Sequence, residues 1–292
     1  MALTALYDVA APAKVNLFLH IVGRRPDGYH LLQSAFVLID WADTLHFERR
    51  TDGQLARHDL GAVLPADDLC MRAARALQAE SGTALGADIS IDKQVPWGAG
   101  MGGGSSDAAS TLLALNRLWA LKWSLKRLLA LGLKLGADIP FFLGGDNAWV
   151  EGIGEQLTPL TLPQQWLAVV KPAAGIETRA IFASPLLARN TKVVILEGFL
   201  AEAGTAGLVA GFGSNDLQLP AEQQCPEVAQ AAQVLQATFG NSRMTGSGSA
   251  VFARAGTGDQ PNATMPVDLA PGWVGRMCRS LVSHPLRGWC PA

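Results

Sequence analysis

Charge is scarce in this chain: Asp, Glu, Lys and Arg make up 16% of residues, and Lys+Arg 23 against Asp+Glu 25 leaves a net charge of -2. A chain so balanced has no global field to gather nucleic acid or an anionic membrane, so an anionic ligand must be held by a local site. Cysteine is equally sparse. Cys70, Cys225, Cys278 and Cys290 lie far apart, with no C-x-x-C pair and no histidine at metal-ligand spacing, which argues against a zinc site or a disulfide framework. They read as reduced packing residues. No stretch reaches the roughly 18 uncharged apolar residues of a membrane span. Asp8 stands where a signal peptide carries Lys or Arg, and a cytoplasmic location is expected. No fixed-period repeat is visible, which excludes a solenoid.

What is present is apolar residues and glycine. With 292 residues, 49% of them hydrophobic, the chain can build two ordinary domains. Alternation over Ala13 to Val22 predicts a strand with Val15, Leu17, Leu19 and Ile21 on one side and Lys14, Asn16, Phe18 and His20 on the other. Two further strands, Leu32 to Asp40 and Asp43 to Arg49, are expected to join at Trp41-Ala42 in an antiparallel sheet with one wet face. Asp67 or Asp68 caps a helix running to Gly82, and Asp88 to Lys93 is a short strand. Ser105-Ser106-Asp107 opens a second helix, and Ser124 caps a third that ends at Gly136. Trp149 to Leu160 is β-like. Pro159 and Pro163 mark a boundary, dividing the chain into residues 1–160 and 161–292. The second part offers strands at Leu167 to Lys171 and Ala250 to Arg254, with helices at Thr178 to Phe182 and Glu227 to Phe239.

The segment Gly98-Ala99-Gly100-Met101-Gly102-Gly103-Gly104 lies between a strand and a helix start. Backbone N–H groups free of side chains, at the positive end of a helix dipole, suit a polyphosphate. Taken alone, a glycine cluster is as often a plain turn. A dinucleotide fold would need an acid about 20 residues on, and after Asp107 the next acid is Asp138. A P-loop needs a lysine after the last glycine, and the protein-kinase motifs are missing. What survives is a phosphate loop of a third kind, its cation elsewhere. Lys14, set in an apolar strand beside Asn16, is the candidate, although most lysines are simply surface residues. Asp138, in Gly136-Ala137-Asp138-Ile139-Pro140, reads by itself as a turn or cap residue. Brought together beside a phosphate cradle, the pair would instead supply a proton acceptor and a charge stabiliser for phosphoryl transfer.

Three segments in order carry a resemblance: Pro12-Ala13-Lys14-Val15-Asn16-Leu17, Pro96 to Ser106, and Arg243-Met244-Thr245-Gly246-Ser247-Gly248. They resemble the three motifs of the GHMP small-molecule kinases. Arg25 to His30, Leu135 to Phe142, Val150 to Glu155 and Ser214 to Leu217 are similar to the branch that phosphorylates a cytidine diphosphate sugar alcohol in the non-mevalonate route to isoprenoid precursors. The resemblance covers nearly the whole chain, weakest from Val193 to Ala210 and after Gly256. It implies an α+β pair of domains, ribosomal-S5-like then ferredoxin-like, with substrates in the cleft between them.

The same resemblance implies ATP and Mg²⁺, with the γ-phosphoryl group passing to a 2-hydroxyl. Asp138 would be the base, and Lys14 would stabilise the developing alkoxide. Pro96, Trp97, Gly98, Ala99, Gly100, Met101, Gly102, Gly103, Gly104, Ser105 and Ser106 would cradle ATP, one of the two serines near the metal, with Gly246, Ser247 and Gly248 closing the phosphate site. Metal ligands beyond these serines are left unassigned. Tyr29 and His30 would hold cytosine by stacking and edge contacts, with Thr178 and Phe182 on the far wall and Asn16 orienting the acceptor. His20, His46, His58 and His284 match nothing and read as packing or surface residues. Ala99 departs from a position usually glycine, so its backbone must accept ordinary φ, and Arg179 replaces a proline or small residue. A monomer or homodimer acting on two small molecules is expected, with neither nucleic acid nor membrane as partner. The rivals are a GHMP kinase for mevalonate, homoserine or a hexose, and a catalytically silent nucleotide-binding module.

Overall fold

A computed structural model of the chain describes residues 3–204 and 212–291. Its frame is two long antiparallel strands, β1 (Ala5–Arg24) and β2 (His30–Arg50). The expected break at Trp41-Ala42 is not there. Ala42 pairs with Pro12 and Asp43 with Ala11, but the next pair is Leu38 with Lys14, so Trp41 lies in a bulge of one continuous strand. Along its other edge β2 pairs with β4 (Gly86–Asp92) and with β5 (Ala148–Glu151), which pairs in turn with β6 (Gln156–Pro159). Strand β3 (Leu55–Asp59) runs parallel to β4, so the sheet is mixed.

Four helices cover one face: α1 (Leu69–Ser81), α2 (Gly103–Leu118), α3 (Leu125–Leu135) and α4 (Ile139–Gly144). Asp68 caps α1 by accepting the Met71 N–H at 2.9 Å, and Gly82 closes it in the left-handed conformation. Their apolar faces meet Phe36, Leu38, Leu45 and Phe47 of β2 in one core.

After β6 the chain builds a second sheet from β7 (Trp166–Lys171), β8 (Arg243–Met244), β9 (Val251–Gly256) and β10 (Val274–Arg279), in the antiparallel order β10-β7-β9-β8. That is the ferredoxin-like order, with helices α5 (Thr178–Ala183), α6 (Leu196–Gly204), α7 (Gln218–Gln224) and α8 (Pro226–Phe239) all in the first crossover. The expected wet face of the first sheet is covered. Ala13, Val15 and Leu17 of β1 pack with Leu167, Val169 and Phe252 of the second sheet, and β1 is buried from Ala11 to Ile21. Phe18 enters the same core instead of sharing the Lys14 side, because the pairing register shifts between Asn16 and Leu19. Residues 280–291 then return to the first layer, where Leu286 joins its core and Leu125 N–H donates to Pro291 O at 2.7 Å. Among the described residues no helix is long and apolar enough to cross a membrane.

Candidate active site

The cleft, about 610 Å³, opens where β1, the glycine loop, the start of α4 and the Gly246–Gly248 turn converge. The loop alternates. Gly98, Gly100 and Gly102 have φ of 61°, 71° and 71°, left-handed conformations that glycine adopts without strain, while Ala99 and Met101 between them point into the core. Ala99 accordingly keeps ordinary φ and takes a place where a side chain is buried, and its carbonyl accepts the Ala250 N–H at 3.2 Å. A Cβ on Gly100 would lie 2.3 Å from Thr245 O, so the loop and the Gly246 turn interlock backbone to backbone.

Helix α2 begins at Gly103, two residues before the expected serines, with Gly102 in the cap position. Ser105 therefore stands in the first turn and lines the cleft. Ser106 is fully buried with an unpartnered hydroxyl and is absent from the lining. Asp107 does not cap the helix. It is buried and bonds Lys93 Nζ at 2.6 Å, and Lys93 also pairs with Asp43, whose other oxygen accepts the Gln94 and Val95 N–H groups at 2.6 and 2.7 Å. Burial, partly offset by Lys93, raises the Asp107 carboxyl well above the usual carboxylate range. The Lys93–Asp43–Asp107 cluster joins residues far apart in the chain, and no local pattern in the sequence marks it.

Lys14 lies on the cleft floor with its side chain 4% exposed. Its ammonium donates to Asn16 Oδ1 and, at 3.0 Å, to Gly100 O, and sits 4.6 Å from the centre of the Phe36 ring. Burial lowers its pKa from the ordinary lysine value, and the Asp138 carboxylate opposes that shift. Asp138 precedes α4, yet its side chain makes no capping bond. Its carboxylate faces Lys14 at 3.9 Å and is 33% exposed. Asp138 thus holds the expected turn and cap position by its backbone alone, and the carboxylate is available to a ligand.

Asn16 is held on three sides. Its N–H donates to Thr245 Oγ1 at 2.9 Å, its amide donates to Ser34 Oγ at 3.0 Å, and Thr245 Oγ1 donates to its Oδ1 at 3.3 Å. Ser34 and Thr245 are fully buried, so their part could not be read from sequence pattern alone. Across the cleft, Thr178 and Ser247 share a hydroxyl hydrogen bond of 2.7 Å. His30 stacks on Phe182 with centroids 5.1 Å apart and planes inclined by 27°. Burial, then Arg24 and Arg189, lowers the His30 pKa, which favours a neutral ring whose buried Nε2 lacks a partner. Phe182 lines the cleft, whereas His30 behind it and Tyr29, 60% exposed, do not, and Arg179 is exposed on α5. His20 and His284 are buried and accept backbone N–H groups, and His46 and His58 lie far from the cleft beside Tyr7 and Asp88.

A profile described as the GHMP kinases N terminal domain matches residues 68–146, the stretch from the cap of α1 through α4. Fold and cleft together define a small-molecule kinase of the GHMP class. The chain is 67% identical over 291 residues to a 4-diphosphocytidyl-2-C-methyl-D-erythritol kinase of Methylibium petroleiphilum, covering 99% of both chains. It is 58% identical to the enzyme of that name from Albidiferax ferrireducens, covering 98% of this chain and 96% of the other. A crystal structure of a 4-(cytidine 5'-diphospho)-2C-methyl-D-erythritol kinase superposes with a TM-score of 0.74 at 35% identity, covering 88% of this chain and 91% of that one. A homoserine kinase from Cytophaga hutchinsonii, 15% identical over 96% of this chain and 95% of its own, shares the fold with a TM-score of 0.67. The chain belongs to the 4-diphosphocytidyl-2-C-methyl-D-erythritol kinase family.

Proposed function

We propose that the protein transfers the γ-phosphoryl group of ATP to the 2-hydroxyl of 4-diphosphocytidyl-2-C-methyl-D-erythritol. The observation that carries this reading is the Lys14–Asp138 pair, 3.9 Å apart on the floor of a cleft walled by two glycine turns. The acceptor oxygen bonds to phosphorus, the bond to the ADP oxygen breaks, and the hydroxyl proton goes to Asp138. A loose phosphoryl transition state asks mainly for positioning and charge stabilisation. Lys14, anchored by Asn16 and Gly100 O, supplies a fixed positive charge for that purpose.

The N–H groups of the loop and of the first turn of α2 suit the phosphates. Beside them a smaller cavity of about 320 Å³, walled by Leu64, Pro65, Leu69 and Trp97 and edged by Asp67, Asp68 and Asp107, offers room for a purine. Mg²⁺ arriving with ATP needs few protein oxygens; the Ser105 hydroxyl in the cleft fits that need, and the ion would neutralise phosphate charge there. The stacked His30–Phe182 pair supports the cytidylyl end of the acceptor. Tyr29 would have to swing inward to join it.

The test is an ADP-release assay offering ATP, Mg²⁺ and, in turn, the cytidylyl acceptor, mevalonate, homoserine and galactose. Turnover on the cytidylyl acceptor alone is expected. Turnover on another acceptor would overturn the substrate assignment, and turnover on none would favour a silent nucleotide-binding module.

A further inference from the structure

Asn215 lies outside the cleft lining and is 6% exposed. Its amide donates at 2.8 Å to Met244 O and at 2.8 Å to Gly246 O, the carbonyls on either side of Thr245, while its Oδ1 accepts the Leu217 N–H at 2.9 Å. The backbone around it bonds β1: Leu19 N–H donates to Ser214 O and Asp216 N–H to Leu19 O, each at 2.8 Å. One residue therefore links the strand carrying Lys14 and Asn16 to the turn carrying Thr245, Gly246, Ser247 and Gly248.

We propose that Asn215 is a positioning residue that locks the Gly246–Gly248 turn in register with β1 and so sets the nucleotide phosphates against Lys14. The proposal rests on the phosphate role given above to that turn. A glycine turn free to rotate has many conformations to lose when nucleotide binds. Here the two flanking carbonyls are held by a single amide, and Thr245 is held by Asn16, so the turn is ordered beforehand. Asp216 does different work in the same segment. Its carboxylate accepts from Ile21 N–H and the Thr191 hydroxyl, each at 2.7 Å, and stabilises the segment without touching the turn.

The test compares Asn215→Asp with Thr191→Val. The aspartate keeps the shape and the acceptor for Leu217 but replaces both donors by an oxygen that repels the Met244 and Gly246 carbonyls, while Thr191→Val removes only the side-chain bond to Asp216. Kinetics are read alongside thermal stability and the affinity for a non-hydrolysable ATP analogue. For Asn215→Asp, nucleotide affinity is expected to fall about tenfold, the size of one or two lost buried hydrogen bonds, with KM for the cytidylyl acceptor changed less than about twofold. Thr191→Val should lower the melting temperature and leave nucleotide affinity alone. Should Asn215→Asp fail to fold, the milder Asn215→Ser carries the same comparison. Unchanged nucleotide affinity in the folded Asn215 variant, or an equal loss in Thr191→Val, would overturn the proposal. A wild-type protein inactive on the cytidylyl acceptor would refute the substrate assignment, and the analogue affinities would still decide the role of Asn215.

Discussion

The Lys14 ammonium and the Asp138 carboxylate face each other at 3.9 Å, one almost sealed from water and the other a third exposed. The distance is too long for a tight ion pair. It leaves room for an acceptor hydroxyl to approach the carboxylate while the lysine, held by Asn16 and Gly100 O, stays in place.

Asp138→Asn is expected to reduce kcat by about 10²- to 10⁴-fold, the range for a positioned acid–base group. Affinity for an ATP analogue should stay within a few-fold. Single-turnover kinetics together with calorimetric binding would check both, and wild-type turnover would remove Asp138 from the mechanism.

Lys14→Met takes away the charge while keeping most of the stem that packs near Phe36. A loss in kcat with KM for both substrates little changed is the outcome expected when a group acts chiefly in the transition state. Steady-state kinetics with each substrate varied separately would reveal a ground-state role instead, as a rise in KM.

Phe182→Ala removes the partner on which His30 stacks. Stacking of a base on an aromatic is worth about 1–3 kcal/mol, so KM for the cytidylyl acceptor should rise by about tenfold or more while KM for ATP is spared. An equal effect on both constants would place the aromatic pair outside the cytosine site.

Much of this arrangement could be read in advance, and the parts that could not share a cause. The glycine loop, Lys14, Asn16 and Asp138 stand out in a one-dimensional string because each breaks its local pattern: glycines between a strand and a helix, polar residues in an apolar strand, an acid before Ile-Pro. Thr245, Ser34, Asn215 and Lys93 act through partners distant in sequence, and no local periodicity marks them. Trp41-Ala42 reads as a join between two strands because the alternation of apolar residues breaks there, and the break is real as a bulge, although β2 runs on through it against β1. Asp107 looked like a helix cap for want of any sign that Gly102 could hold that position in the left-handed conformation.

Gly100→Ala joins an unfavourable φ of 71° to a Cβ placed 2.3 Å from Thr245 O. Since backbone lies on both sides, the contact cannot be relieved by moving a flexible side chain. A destabilisation of about 1–3 kcal/mol is expected with a marked loss of nucleotide affinity. Denaturant unfolding and analogue binding would test this, and an unchanged affinity would argue that the two glycine turns need not interlock.

His284 is buried, and desolvation lowers its pKa from 6.5 to about 4. The unfolded chain then binds more protons than the folded one between those values, so stability is complete above about pH 6.5 and falls as pH drops towards 4. The loss amounts to at most about 3 kcal/mol. His284→Asn, whose side-chain oxygen can replace Nδ1 as acceptor for the Leu286 N–H, should flatten the melting temperature across this window. An unaltered slope would assign the acid sensitivity to other groups.

The return of residues 280–291 bears on how the molecule is made. Leu281 N–H donates to Leu38 O, His284 N–H to Gly145 O, and Leu286 fills the core beneath the four helices. The first layer is therefore not closed by its own sequence: a segment that follows the second sheet seals it, and the half of the cleft bearing Lys14 and Asp138 rests on a core to which both halves contribute.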